Sequence, residues 1–240
     1  MSLPKMNSPV YTVKIPSTSQ QVTFRPFTVR EEKALLLAQQ SEDTNIMSNT
    51  LKMIIEGCVK EKVNVDKLAI FDIEYLFTQI RAKSVGEMVD LIFTCAHCVD
   101  ESDTPKNKMR IGFDLTQIEV VKDPNHTNKI HLFGECGVIM NYPNLNTFRK
   151  ADGKEEDINA VIEVVTDCIE AIYSGDEMFY ANEQSREELE EFVLNLTKQQ
   201  FELLEEFFVT IPKFKKEVEF NCPVCKANNK VTLEGTASFF

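Results

Sequence analysis

Two short motifs constrain this chain more than anything else in it: Cys95-Ala96-His97-Cys98 and Cys222-Pro223-Val224-Cys225. Each closes an alternating apolar run, Met88 to Phe93 in the first case and Val218 to Phe220 in the second. Each leads, through a polar loop, into a second alternating run, Met109 to Phe113 and Lys230 to Leu233. Alternation with a period of two reads as strand, so the pattern is strand, knuckle, strand, written twice. Two thiolates three positions apart can grip one metal ion from a single turn. Two such turns complete a tetrahedral site closed to water, which makes it structural rather than catalytic. The halves lie more than 120 residues apart, so the fold must bring them together.

Other uses of a C-x-x-C pair fit less well. A redox pair belongs at a strand-to-helix step, where the thiol pKa falls, and neither motif precedes a helix. Disulfides belong to secreted chains, and nothing here suggests secretion. A single iron would accept the same four thiolates, and the spacing leaves zinc and iron both open. The preferred reading is one shared structural Zn2+ held by Cys95, Cys98, Cys222 and Cys225. His97 is read as a solvated turn residue, because four cysteines already supply the site.

At 240 residues, 43% hydrophobic and 27% charged, the chain can build one sizeable core or two small ones. No apolar run approaches the roughly 20 residues that span a bilayer, and Met1 to Pro9 lacks a signal-peptide core. Seven cysteines leave one unpaired in any full bridging scheme, so a reducing compartment is the simpler assumption. The net charge of −12 opposes a broad phosphate-binding surface and suits a basic protein partner.

Val10 to Ile15 and Val22 to Phe24 form a predicted hairpin. Thr28 with Glu31 makes a capping box for a helix carrying Leu35, Leu36 and Leu37. A second helix is expected from about Asn45 to Glu61, and a third, capped by Asp66, carries Ile70, Ile73, Leu76, Phe77 and Ile80. In the second half, Lys129 to Phe133 and Gly137 to Met140 form a hairpin. Helices follow from Leu145 to Ala151 and from about Glu155 to Tyr173, the latter burying Ile158, Val161, Ile162, Val165, Cys168, Ile169 and Ile172. Ser185 with Glu188 caps a helix through Leu196, and Thr197 with Gln200 restarts it over Phe201 to Phe208.

The two halves parallel each other. Cys58 and Cys168 occupy the same place in similar helices, and Asn64-Val65-Asp66-Lys67 before Phe71 resembles Asn195-Leu196-Thr197-Lys198 before Phe201. With the knuckles, these matches recur at offsets of 110 to about 130 residues. The expected fold is α+β, two similar modules at 1–115 and 116–240 that share a zinc-ribbon-like site where they meet. Coincidence among amphipathic helices is the alternative. Cys58 and Cys168 are expected as buried packing residues.

No catalytic constellation stands out. There is no G-x-x-x-x-G-K loop and no G-x-S-x-G. His126 falls in a loop and His131 on a strand, neither beside a nucleophile. Glu155-Glu156 and Glu187-Glu188 read as solvated helix starts.

Val22-Thr23-Phe24-Arg25-Pro26-Phe27-Thr28, Phe71-Asp72-Ile73-Glu74-Tyr75-Leu76-Phe77 with Arg81 to Glu87, and the paired knuckles resemble the baseplate hub assembly proteins of T4-like tailed bacteriophages. The resemblance covers most of the chain, and Phe71 to Glu87 is its most specific part. It implies a non-enzymatic late protein, an assembly chaperone or hub subunit, whose partners are baseplate hub subunits. Its setting would be the host cytoplasm during assembly, or the virion tail baseplate, and neither membrane nor nucleic acid would be a partner. Acidic helix faces and Ala237-Ser238-Phe239-Phe240 are the candidate contact surfaces. The rival is a zinc-ribbon nucleic-acid- or polymerase-binding regulator, for which Lys213-Phe214-Lys215-Lys216 is the best basic cluster. That cluster reads more simply as a solvated strand edge.

Overall fold

The computed structural model describes residues 8–41, 43–98, 107–151 and 157–235. In chain order its elements are β1 Tyr11–Lys14, β2 Gln21–Phe24, α1 Val29–Ser41, α2 Thr44–Cys58, α3 Ile70–Ser84, β3 Met88–Thr94, β4 Lys108–Asp114 and β5 Glu119–Val121. There follow β6 Lys129–Phe133, β7 Cys136–Met140, α4 Leu145–Ala151, α5 Ile158–Cys168, β8 Ile169–Ser174 and β9 Glu177–Tyr180. The last are α6 Arg186–Leu194, α7 Lys198–Thr210, β10 Lys213–Asn221 and β11 Asn228–Glu234. The fold is mixed α+β, and every strand pairing is antiparallel.

The chain separates into two compact units. One comprises Met1–Val65, Phe71–Val121 and Lys213–Phe240; the other comprises Asp66–Ile70 and Lys122–Pro212. These bounds differ from the expected division at 115/116. The terminal hairpin, β10 with β11, belongs to the same unit as β3 and β4, so both knuckles lie in one unit.

In the first unit, β1 pairs with β2, and the return from hairpin to helix is fixed by the Arg25 N–H donating to the Cys58 carbonyl at 3.0 Å. Asp43 caps α2 by accepting from the N–H groups of Asn45 and Ile46. Asp66 lies in a 3-10 turn, Val65–Lys67, and α3 begins only at Ile70. Asp72 is fully buried and accepts the backbone N–H and the hydroxyl of Ser17 at 2.9 and 2.5 Å, which ties α3 to the first turn.

The knuckle hairpins show why a period of two was readable. Val89, Leu91 and Phe93 of β3, Ile111 and Phe113 of β4, Val218 and Phe220 of β10, and Val231 and Leu233 of β11 all join one apolar cluster. Phe93 and Phe220 meet with ring centroids 5.4 Å apart. The outward positions carry charge, including Lys230 beside Glu217 at 2.7 Å and Glu219 at 3.6 Å. Lys213 to Lys216 is not at a strand edge. β10 is the central strand between β11 and β5, and Phe214 is buried.

The second unit is a four-stranded sheet, β6-β7-β8-β9. Ile130, Leu132, Val138 and Met140 from the sheet pack with Val165, Leu189, Val193, Leu204 and Phe207 from the helices. The helix expected to reach Tyr173 stops at Cys168, and Ile169–Ser174 is strand. Val165, Cys168, Ile169 and Ile172 satisfy helical spacing, so periodicity alone favoured the wrong element. Gly175 decides it: with φ +59° it opens a two-residue turn between β8 and β9, a conformation that favours glycine. Ile158, expected inside, is 59% exposed.

The capping boxes at Ser185/Glu188 and Thr197/Gln200 form as expected and start α6 and α7. Among the described residues no helix is long and apolar enough to cross a membrane.

Candidate metal centre

The four cysteines come together at the turn ends of the two knuckle hairpins. Cys95 follows β3 directly and Cys222 follows β10 directly. Both are fully buried, Cys98 is half-buried and Cys225 is exposed. The second knuckle is a tight turn: Cys222 N–H donates to the Ala227 carbonyl and Lys226 N–H to the Cys222 carbonyl, both at 2.9 Å. Lys226 adopts φ +61° to complete it. In the first, Cys95 N–H donates to the Asn107 carbonyl at 2.9 Å.

All four sulfurs lie within 4.8 Å of one another. Cys95 Sγ is 3.7 Å from Cys225 Sγ, and Cys98 Sγ is 3.6 Å from Cys222 Sγ. A tetrahedral ion with sulfur bonds near 2.3 Å separates its ligands by about 3.8 Å, so the spacing suits a tetrathiolate centre. The cysteines are free, and their separations are well beyond the ~2 Å of a disulfide. Each short contact also joins one knuckle to the other, which is not the arrangement of two independent C-x-x-C redox pairs.

Hydrogen bonds turn toward the sulfurs. The His97 backbone N–H and the Asn229 carboxamide reach Cys95 Sγ at 3.4 and 3.5 Å, and the Asn107 carboxamide reaches Cys222 Sγ at 3.1 Å. Asn229 also accepts the Ala96 N–H at 3.0 Å and is itself buried. Burial pushes the Cys222 thiol up, but the Cys225 N–H, Asn107, the Val224 N–H and Cys98 overcome it and bring it to about 6. Cys95 is lowered in the same way, its burial outweighed by His97 N–H, Asn229 and Cys225. Cys98, hydrogen-bonded to Cys225, desolvated and bonded to Cys222, is pushed up to about 12. The first cysteine of each knuckle, Cys95 or Cys222, is thus a thiol that these hydrogen bonds lower.

Asn107 and Asn229 were not singled out from sequence. The signal was present as an Asn-Lys pair opening each return strand, Asn107-Lys108 and Asn229-Lys230, but asparagine at a strand entry ordinarily reads as turn chemistry. His97 is exposed and outside the sulfur cluster, as a turn residue should be.

The remaining cysteines and histidines lie elsewhere. Cys58 and Cys168 are buried, and burial raises their thiols to about 11 and about 12, which makes them inert. Cys136 is half-buried on β7. His131 is exposed on β6. His126 lies in the loop before β6, as expected, but is 9% exposed, stacked on Tyr142 and tilted against Phe207. Glu188 belongs to a capping box, whereas Glu155, Glu156 and the tail Ala237 to Phe240 fall outside the described residues. A groove of about 430 Å³ in the first unit is walled mainly by Phe27, Leu35, Leu36, Met47, Leu51 and Phe77. Glu32, Gln39 and Arg81 also line it.

The family model described as T4 bacteriophage base plate protein matches residues 8–240. No curated protein and no solved structure matches the chain.

Proposed function

The chain belongs to the T4 bacteriophage base plate protein family, and from that premise we propose that it helps build the central hub of the tail baseplate by binding hub subunits. The observation that carries this reading is the family match across nearly the whole chain. It acts without catalysis, as an assembly chaperone or as a hub subunit. It meets its partners in the host cytoplasm during assembly and can pass into the virion tail. An acidic balance of −12 favours basic partner surfaces, whose encounter is steered electrostatically.

In the same reading, Cys95, Cys98, Cys222 and Cys225 hold one structural Zn2+. Four thiolates occupy every tetrahedral position, so the ion fixes the hairpin pair and offers no open site to a substrate. Zinc is preferred to iron because the sulfurs need only a rigid, redox-silent staple.

The halves are read as copies of one module. Each has a hairpin followed by helices, with a buried cysteine ending its second helix. In each, the residue after the hairpin donates to that cysteine's carbonyl: Arg25 to Cys58 at 3.0 Å and Asn141 to Cys168 at 2.6 Å. Each also bridges strand to helix end, Phe24 with Val59 and Met140 with Ile169. The measurement is whether the Cys58 hairpin and helix superpose on the Cys168 hairpin and helix in an experimental structure; helices running in unrelated directions end this part.

A nucleic-acid-binding regulator is the weaker reading, because Lys213 pairs with Glu234 at 3.2 Å and Phe214 is buried between neighbouring strands. The deciding experiment is deletion from the phage. Hub subunits should then fail to assemble, and the purified protein should keep at least one hub subunit soluble, with affinity falling as salt rises. Normal baseplates without it, or salt-resistant binding to DNA, would overturn the proposal.

A further inference from the structure

The sheet of the second unit ends in an unusual edge. β9 pairs with β8 on one side and is terminal in the order β6-β7-β8-β9. Among the described strands it is the only one whose every residue is exposed. Natural edges are ordinarily blunted with lysine, proline or a bulge, yet β9 reads Glu177-Met178-Phe179-Tyr180 and pairs with β8 in regular register. Met178, Phe179 and Tyr180 are 39%, 40% and 45% exposed.

The cross-strand rows show that this edge is unfinished. Ile130, Val138, Ile172 and Phe179 stand opposite one another in successive strands and therefore share one face. Exposure rises toward the edge of the row, from 8% and 0% at Ile130 and Val138 to 40% at Phe179. An apolar residue on one more strand would continue it.

Register also says which backbone groups are available. Ser174 and Glu177 close a two-residue turn and so form a hydrogen-bonded pair. The next pair, Tyr173 with Met178, is non-hydrogen-bonded, as is Ala171 with Tyr180. The N–H and C=O groups of Met178 and Tyr180 therefore point away from β8.

The charge around the edge selects the partner. Asp176 and Glu177 sit at its tip beside Glu135, and Glu183 lies three residues beyond Tyr180. The nearby cations are engaged: Lys129 lies over the Tyr173 ring at 4.6 Å, and Arg186 pairs with Asp167 and Glu190. A second copy of this chain would bring like charges together.

We propose that β9 accepts an extended segment of a partner protein by strand addition, and that this segment alternates basic and apolar residues. The segment bonds to Met178 and Tyr180 through its backbone, sets an apolar side chain beside Phe179 and spreads its basic side chains over the acidic tip. The interaction depends neither on the metal centre nor on the identity of the hub partner.

The test uses the full metal-loaded chain and a short synthetic peptide of alternating Lys and Val, with a Glu/Val peptide as control, read by amide hydrogen exchange. The Lys/Val peptide should slow exchange at Met178 and Tyr180 by about tenfold or more at saturation, while the Glu/Val peptide does nothing. Met178→Pro should abolish the protection at Tyr180 without unfolding the sheet, because the lost N–H faced solvent. Phe179→Ser should weaken it. No binding, binding without protection at these two amides, or undiminished protection of Tyr180 in Met178→Pro would overturn the proposal. So would protection of the same amides by self-association without peptide.

Discussion

The Asn107 carboxamide donates to Cys222 Sγ at 3.1 Å, joining the return strand of the first hairpin to the leading thiolate of the second knuckle. Asn229 does the reverse, reaching from the second hairpin to Cys95 Sγ at 3.5 Å. The two contacts form a crossed pair. Each hairpin supplies two sulfurs and also donates to the sulfur at the start of the other's knuckle.

Loss of either asparagine should loosen the metal without removing a ligand. Asn107→Ala and Asn229→Ala should each bind one metal ion per chain when metal is in excess. They should lose it to a competing chelator about 10–100-fold more readily than the parent protein. Asn229→Ala should be the more damaging, since the hydrogen bond from the Ala96 N–H goes too. Chelator titration followed by metal analysis checks this, and parent-like retention in both variants would show that the carboxamides do not tune the centre.

The ligands themselves should behave as one set. Cys95→Ser and Cys222→Ser should reduce metal content and thermal stability alike, although they stand more than 120 residues apart. Chelation of the parent protein should remove stabilisation on the order of 10 kcal/mol. Cys58→Ala and Cys168→Ala should keep full metal content and cost about 1 kcal/mol each through lost packing. Full stoichiometry after loss of both Cys222 and Cys225 would contradict a shared site, and a visible thiolate-to-iron absorption would replace zinc by iron.

His126 should make the second unit sensitive to mild acid. Thr210 Oγ1 donates to the Glu206 carbonyl at 2.9 Å, so His126 Nδ1, at 3.0 Å from that oxygen, is the donor between them. Nε2 is then a buried acceptor without a partner among the described residues. Desolvation, aided by Lys122 and opposed by Asp123, lowers the folded-state pKa. The unfolded chain therefore takes up this proton at a higher pH than the folded chain. Stability from this group is fully present above the unfolded value near 6.5 and is lost as pH falls from there toward the folded value. His126→Phe keeps the stacking on Tyr142 and should flatten that slope in melts taken between about pH 7 and pH 5. Identical slopes would place the acid sensitivity elsewhere.

Gly137→Ala should be severe for a steric reason. A Cβ there would lie 2.2 Å from both the Ile130 carbonyl oxygen and the Tyr173 hydroxyl. The tyrosine can swing aside, but the backbone oxygen cannot, and Tyr173 would also give up its hydrogen bond to Ile130. A loss of about 3 kcal/mol is expected, read by denaturant unfolding. Gly112→Ala, whose Cβ would meet only side-chain atoms at 3.4 Å or more, is the control and should stay close to the parent.

Much of this molecule was legible in its residues because the signals were local. Caps at Ser185 and Thr197 declare themselves within four positions, since a hydroxyl and a carboxylate or carboxamide three residues apart can satisfy the first turn's N–H groups. The knuckle strands were equally clear, for alternation marks one buried face wherever that face ends up. The C-x-x-C spacing named all four cysteines whose sulfurs gather, because a turn holding two thiols has few other uses. What the sequence could not decide depended on residues distant along the chain. Ile169 and Ile172 fit a helix as well as a strand, and only pairing with β7, with Gly175 turning the chain back, made them strand. His126 sits in a polar loop stretch by sequence, yet Tyr142 and Phe207 enclose it from other elements. The unit containing the second knuckle was likewise settled by tertiary packing: the apolar face of β10 and β11 finds its complement on β3 and β4. Local propensity determines which segments become strands or helices; the burial of their faces against distant partners determines where they go.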